Sequence, residues 1–160
     1  MILPFSKKFK NGNDTHFLEK IWANQNLWSE EDAIYFSTNN PRILDFDDWY
    51  IETAKPKIHT IRRDEKNRWK TGNKIHPVFE NRSKNQHQFA PTFICTGIQK
   101  IKILRSEDKM LIYVDGNLLD KWATINRLVQ NDGFENEIDF CSWFDADFEG
   151  KIIHFTDLHY

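Results

Sequence analysis

The segment with the clearest potential for chemistry runs from Pro56 to Arg63 and reads PKIHTIRR. Its alternation predicts a strand that places Thr60 and Arg62 on one face. Lys57 has the opposite parity in a regular strand and joins Thr60 only if the chain bends on entry, which Pro56 favours. A lysine, a hydroxyl and an arginine that converge would form a cationic pocket suited to an anion or to a carbonyl oxygen that gains charge.

Two interpretations of this segment stay open. In the first, Arg62 and Arg63 shift the Lys57 amine towards its neutral form, which could then remove a proton from Thr60 or from water. In the second, the segment is an ordinary edge strand whose lysine and arginines face solvent.

Charge is segregated along the chain although the formal net charge is only −2. Residues 55–84 hold ten Lys or Arg and three Asp or Glu, whereas residues 13–53 and 132–160 are strongly acidic. A positive patch from the basic stretch would suit phosphate or a polyanion. The alternative is that the basic stretch forms salt bridges with its acidic flanks.

The first third of the chain is predicted to be helical and irregular. Thr15 can cap a helix that runs to Trp22, and Ser29 begins a second helix with acidic residues in its first turn. Residues 37–48 resemble an irregular acidic loop. We therefore interpret residues 25–53 as an insertion in a smaller domain.

Strands dominate from residue 57 onward. The predicted strands are 57–62, 74–79, 92–104 with a bulge at Gly97, 110–114, 117–119 and 151–156, and the predicted helices are 119–129 and 135–145. Asp115-Gly116 predicts a hairpin turn. This order indicates an α+β domain with a small, curled, mostly antiparallel sheet. The absence of glycine-rich phosphate loops excludes Rossmann and P-loop folds.

Composition excludes several other classes. Aromatic residues form 14% of the 160 residues, which excludes disorder for the bulk of the chain. No stretch approaches the ~18 apolar residues of a membrane helix, the N-terminus lacks the features of a signal peptide, and the two cysteines have no CxxC spacing. The six histidines include no HxH or HExxH arrangement. We expect a cytoplasmic protein with no membrane association, no metal and no cofactor.

Two spaced motifs resemble the ASCH domain of the PUA-like superfamily. They are Lys57-x-x-Thr60-x-Arg62 and Trp69-Lys-x-Gly72-x-Lys74-Ile75, followed by a long strand and, after two helices, a terminal strand. The resemblance covers about residues 54–160 plus the first strand and helix. The family signature is GxKxxTxR or GxKxxExR, and Lys55 stands here at the glycine position. The length of the chain predicts a single domain over residues 1–160, and the resemblance implies that it is a PUA-like, small, mostly antiparallel β-barrel with surrounding helices.

The same resemblance implies a function. Such domains bind RNA or a modified nucleoside or nucleotide in a basic cleft, and one bacterial branch comprises amidohydrolases that deacylate N4-acylcytidines. In that branch Lys57 and Thr60 would be catalytic with a carboxylate, for which Asp132 is the nearest candidate and Glu135 and Glu137 are rivals. A third hypothesis is a non-enzymatic accessory protein of bacterial or phage origin whose acidic insertion docks a partner.

Further residues are candidates for ligand binding by their type and position. Arg62, Arg63, Lys74 and Arg82 could contact an anionic ligand, and Trp69 could stack on a base. The alternative for Trp69 is packing beneath the Gly72 turn. We expect His59 to face outward, and His154 and His159 to titrate in solvent.

Overall fold

A computed structural model of the chain describes residues 1–24, 26–40, 48–106 and 109–160, and for residues 48–50 it describes the backbone only. The architecture is α+β with two mostly antiparallel sheets. The helices are α1 (Phe17–Trp22), α2 (Glu30–Asn39), α3 (Asp48–Thr53), α4 (Trp122–Asn131) and α5 (Glu137–Trp143). The strands are β1 (Ile2–Pro4), β2 (His59–Arg62), β3 (Lys74–Phe79), β4 (His87–Gln88), β5 (Phe93–Ile94), β6 (Gly97–Arg105), β7 (Met110–Val114), β8 (Asn117–Leu118) and β9 (Phe148–His154).

The first sheet has the order β1-β3-β4, with β5 also paired to β3. The second sheet has the order β2-β9-β6-β7-β8 and is antiparallel throughout. Its register places Thr60 of β2 opposite Ile153 of β9. Strand β2 is therefore an edge strand that pairs with β9.

The predicted strand 92–104 is in fact two strands that belong to different sheets. Phe93–Ile94 pairs with β3, whereas Gly97–Arg105 pairs with β7 and β9. Between them, the Cys95 amide donates to Asn73 and the Thr96 amide donates to His154. The change of parity near Gly97 therefore marks a passage between sheets, and the predicted bulge is wrong.

Predictions that depend on a single turn or a single capping side chain agree with the structure better than the predicted strand 92–104 does. Asp115 and Gly116 have φ angles of 49° and 85°, which fit the predicted β7–β8 hairpin. Ser29 caps α2 by accepting from the Asp32 amide, as predicted. The two C-terminal helices begin later than predicted, because the Leu119 amide bonds to Ile112 and Asn136 caps α5.

The insertion is described only in part. Residues 37–39 of the predicted acidic loop belong to α2, and residues 41–47 lie outside the described residues. The core between helices and sheets is rich in phenylalanine, with Phe9, Phe17, Phe134 and Phe140 in edge-to-face or tilted contacts. Among the described helices, none has the length and apolar character needed to cross a bilayer.

Candidate functional site

The entrance to β2 is held between α1 and the end of α4. The Lys57 amide donates to the Lys20 carbonyl at 2.9 Å, and the Ile58 amide donates to the Asn131 carbonyl at 3.0 Å. These two bonds fix the backbone that carries Lys57. The side chain of Lys57 is consequently directed towards the C-terminal end of α4.

There Lys57 forms a buried ion pair with Asp132. Lys57 Nζ lies 2.7 Å from Asp132 Oδ1 and also donates to the Asp132 carbonyl. The two residues are 1% and 3% exposed. Asp132 Oδ1 also accepts from the Ile61 amide, and Lys57 Nζ lies 4.5 Å from the centre of the Phe17 ring. The ammonium group is thus surrounded by one carboxylate, one carbonyl and one aromatic face.

Burial controls the electrostatics of this pair. It lowers the pKa of Lys57 from 10.5 to about 8, although Asp132 acts to raise it. Burial by itself would raise the pKa of Asp132, but Lys57 and His59 outweigh it and hold that pKa below its usual value. The lowered Lys57 pKa agrees in direction with the prediction, while its main cause is burial, with Arg62 a smaller contributor.

His59 is buried beside the pair, and the prediction that it faces outward is wrong. Its Nδ1 lies 3.7 Å from Asp132 Oδ1, and its Nε2 is 2.9 Å from the Tyr160 hydroxyl. Asn131 also donates to that hydroxyl, at 2.6 Å. His59 shares the strand face of Ile61, so the register that directs Ile61 to the interior also buries the imidazole.

His154 is also buried, contrary to the expectation that it titrates in solvent. Its Nε2 lies 3.1 Å from Gln99 Oε1, and its ring contacts those of His59 and His159. Burial lowers the pKa of His154 from 6.5 to about 3. His159 is exposed, as expected.

Thr60 and Arg62 are not gathered around Lys57 in the predicted way. Within the described residues, the side-chain hydrogen bonds of Lys57 go to Asp132 and none goes to Thr60. Thr60 is 1% exposed and alternates with His59 and Ile61 along β2. Arg62 donates to the Pro4 carbonyl at 2.9 Å and lies over the Phe5 ring. Arg62 is therefore directed towards β1.

The remaining predicted ligand-binding residues lie elsewhere. Arg63, Lys74 and Arg82 are exposed, and the Arg63 guanidinium lies over the Phe148 ring. Trp69 is only 6% exposed and belongs to the hydrophobic core. Burial of its ring argues against stacking on a base and favours the packing alternative.

A pocket of about 300 Å³ lies beside Gly133, the residue that follows Asp132 in the chain. Its lining comes from α1, the end of α3, and the end of α4 with the residues after it: Lys20, Thr53, Ala54, Lys55, Gln130, Gly133, Phe134 and Glu135. We call this the Gly133 pocket. A Cβ on Gly133 would lie 3.2 Å from Lys57 Cδ, so the Lys57 side chain runs directly behind Gly133.

Polar groups of the Gly133 pocket are bonded to one another. Lys20 Nζ lies 2.6 Å from Glu135 Oε1 and donates to the Gly133 carbonyl, while Lys55 donates to Gln130 at 2.9 Å. Of the three carboxylates considered from the sequence, Asp132 meets Lys57, Glu135 meets Lys20, and Glu137 lines a different pocket. Sequence reasoning missed Lys20, Gln130 and Tyr160, which carry no motif and are brought in by tertiary packing.

Comparisons of the chain with family models, with curated proteins and with solved structures found no match.

Proposed function

We propose that residues 1–160 form a single ASCH-type domain of the PUA-like class, a small β-barrel with surrounding helices, that binds RNA or a modified nucleoside or nucleotide in the Gly133 pocket. The observation that carries the proposal is the buried Lys57–Asp132 pair just before β2, with a polar pocket that begins at the neighbouring Gly133. A buried, paired charge next to a concave polar surface is a recognised mark of a functional site.

The chemistry of the pocket suits a nucleobase. Gln130 offers an amide that both donates and accepts, Lys55 offers an ammonium donor, and Glu135 offers an acceptor for an exocyclic amine. A ligand would exchange the existing Lys55–Gln130 bond for bonds to the base. A volume of about 300 Å³ is at the small end of ligand pockets and suits one nucleoside rather than an oligonucleotide.

The experiment separates a nucleoside from a longer RNA. We would titrate the chain calorimetrically with cytidine, N4-acetylcytidine, cytidine monophosphate and a single-stranded RNA of about ten nucleotides, at two ionic strengths. Nucleoside binding in the pocket predicts that Lys55→Ala and Gln130→Ala each weaken affinity about tenfold. The matched control is Lys66→Ala, an exposed lysine outside the pocket.

RNA binding makes a different prediction. It should weaken steeply with salt and should depend on the exposed Lys74 and Arg82 as well as on the pocket. If neither nucleosides nor RNA bind at either ionic strength, or if Lys66→Ala has the effect of Lys55→Ala, the proposed site is wrong.

A second candidate function is hydrolysis of N4-acylcytidine-type amides. Two observations favour it: the 2.7 Å separation of Lys57 and Asp132, and a Lys57 pKa of about 8, which makes part of the lysine neutral under mildly alkaline conditions. This mechanism requires Thr60, which makes no hydrogen bond with Lys57 in the structure, to approach Lys57 when the substrate binds, so that water held by Thr60 adds to the acyl carbonyl. Lys57 takes the proton of the water and returns it to the departing N4 amine, so a carboxylic acid and cytidine leave.

The enzymatic candidate is tested by release of cytidine from N4-acetylcytidine. Thr60→Val removes the hydroxyl with little change of shape, and Lys57→Met removes the base. Each should lower the rate by at least ~100-fold if the roles are right. Arg63→Ala, a change on the exposed surface, serves as the control, and thermal melts establish that each variant is folded. A rate that survives both Thr60→Val and Lys57→Met would refute the mechanism.

A further inference from the structure

A second pocket of about 300 Å³ lies between α4, α5 and β7, and it shares no lining residue with the Gly133 pocket. Its floor is apolar and includes Ile112, Val129 and Phe140 from the core. We call it the α4–α5 pocket. Its rim carries Trp122, Asp120 and Glu137.

One face of α4 is apolar from the buried core to the exposed rim of the pocket. Trp122, Ile125 and Val129 are spaced three and four residues apart and so share one helix face. Val129 is fully buried, while Trp122 is 69% exposed. On α5, Ile138 is 80% exposed. Trp122 lines the pocket, and Ile138 follows the lining residue Glu137 along α5. Exposed apolar side chains at and beside an apolar hollow are typical of a surface that binds another protein.

The rim is also acidic. Asp120 and Glu137 both line the pocket, and none of its described lining residues is basic. Glu137 Oε1 is buried and accepts no hydrogen bond from any described residue. A buried carboxylate oxygen without a donor is costly, and a cation that enters from outside would supply one.

This charge selects among possible occupants. A second copy related by two-fold symmetry would bring the same carboxylates against each other, because such an interface pairs a surface with itself. Nucleic acid and anionic lipid would be repelled for the same reason. A basic and partly apolar protein segment is complementary on both counts.

We propose that the α4–α5 pocket docks a segment of a partner protein in which an arginine or lysine is flanked by apolar residues. The cationic group binds Glu137 and Asp120, and the apolar neighbours cover Trp122 and Ile138. The proposal is independent of nucleoside binding, since the two pockets have no residue in common.

The test uses two designed amphipathic peptides of about 14 residues with identical leucine positions, one with arginine and the other with glutamate at the polar positions. Each is titrated into the full ¹⁵N-labelled chain. The arginine peptide should shift the Trp122 indole and the amides of α5, and the glutamate peptide should bind at least about tenfold more weakly. Glu137→Gln and Trp122→Ala should each weaken the arginine peptide about tenfold, whereas the exposed Glu65→Gln should not.

Several results would overturn the proposal. The proposal is wrong if the arginine peptide causes no shifts at α4 and α5. It is also wrong if that peptide binds Glu137→Gln and Trp122→Ala as tightly as the unaltered chain. The glutamate peptide could bind equally well. Sedimentation could reveal a dimer that Trp122→Ala dissociates, which would make a second copy the occupant. Neither substitution removes a core contact, so thermal melts should show that both variants are folded.

Discussion

Lys57 Nζ and Asp132 Oδ1 lie 2.7 Å apart in the interior, although 75 positions separate the two residues in the chain. The pair joins the chain just before β2 to the end of α4. In the described part of the chain, three Lys, Arg, Asp or Glu residues are buried, and the pair supplies two of them, the third being Lys20. Loss of the pair should therefore affect stability before it affects any function.

Asp132→Asn should lower the free energy of unfolding by about 3–5 kcal/mol, because it leaves a buried ammonium without its counter-charge. Urea denaturation measures the loss. The double variant with Lys57→Met removes both charges and should recover a substantial part of it. A double variant no more stable than Asp132→Asn would contradict this account.

Lys57 should make stability rise with pH in the alkaline range. Its pKa is about 8 in the folded chain and 10.5 ordinarily, so between these values the unfolded chain binds more protons. Below pH 8 the buried Lys57 is charged, and the full cost of burying that charge lowers the free energy of unfolding. Above pH 8 the folded chain loses this proton, so the free energy of unfolding rises. Relative to Lys57→Met, the unaltered chain should gain about 1–2 kcal/mol between pH 8 and 9.5.

The unaltered chain and Lys57→Met should be compared only between pH 8 and 9.5. Above this range, the raised pKa of Tyr160, caused mainly by burial, acts in the opposite direction. Lys66→Met, at an exposed position, is the control and should leave the pH profile unchanged. Parallel profiles for Lys57→Met and the unaltered chain would show that Lys57 is not the group responsible.

His154 should make the protein sensitive to acid. The pKa of His154 is about 3 in the folded chain and 6.5 ordinarily. As the pH falls from 6.5 towards 3, the imidazole therefore binds a proton in the unfolded chain but not in the folded chain, and the free energy of unfolding decreases. The expected loss is about 2 kcal/mol between pH 7 and pH 5. His154→Gln should reduce that loss by a similar amount in urea titrations, while His87→Gln should not.

Gly133 should be sensitive to substitution for two separate reasons. Its φ of 87° disfavours any side chain, and a Cβ would lie 3.0 Å from the Phe17 ring and 3.2 Å from Lys57 Cδ. Gly12 has a similar φ of 90° with open space around it, so Gly12→Ala measures the backbone cost alone, about 1–2 kcal/mol. Gly133→Ala should cost about 1–3 kcal/mol more than Gly12→Ala. Equal losses of unfolding free energy would show that the surroundings of Gly133 relax freely.

Local sequence determined those features whose cause is itself local. The Asp115-Gly116 turn, the Ser29 cap and the mixture of helices with mostly antiparallel strands were all predictable, because a positive φ, a short hydroxyl or a period of two acts within a few residues. Lys57 and Asp132 could also be named before the structure, Lys57 from a spaced motif and Asp132 through the family resemblance, with Glu135 and Glu137 as rivals.

Only the tertiary structure decided what those residues contact. The alternation of apolar and polar residues could not show that the chain passes from one sheet to the other at Cys95, because a strand has the same alternation in either sheet. Nor could it show that His59 and His154 are buried, or that Arg62 reaches β1 while Lys57 reaches α4. These outcomes depend on which surfaces meet across the core, and the meeting partners lie dozens of residues away in the chain.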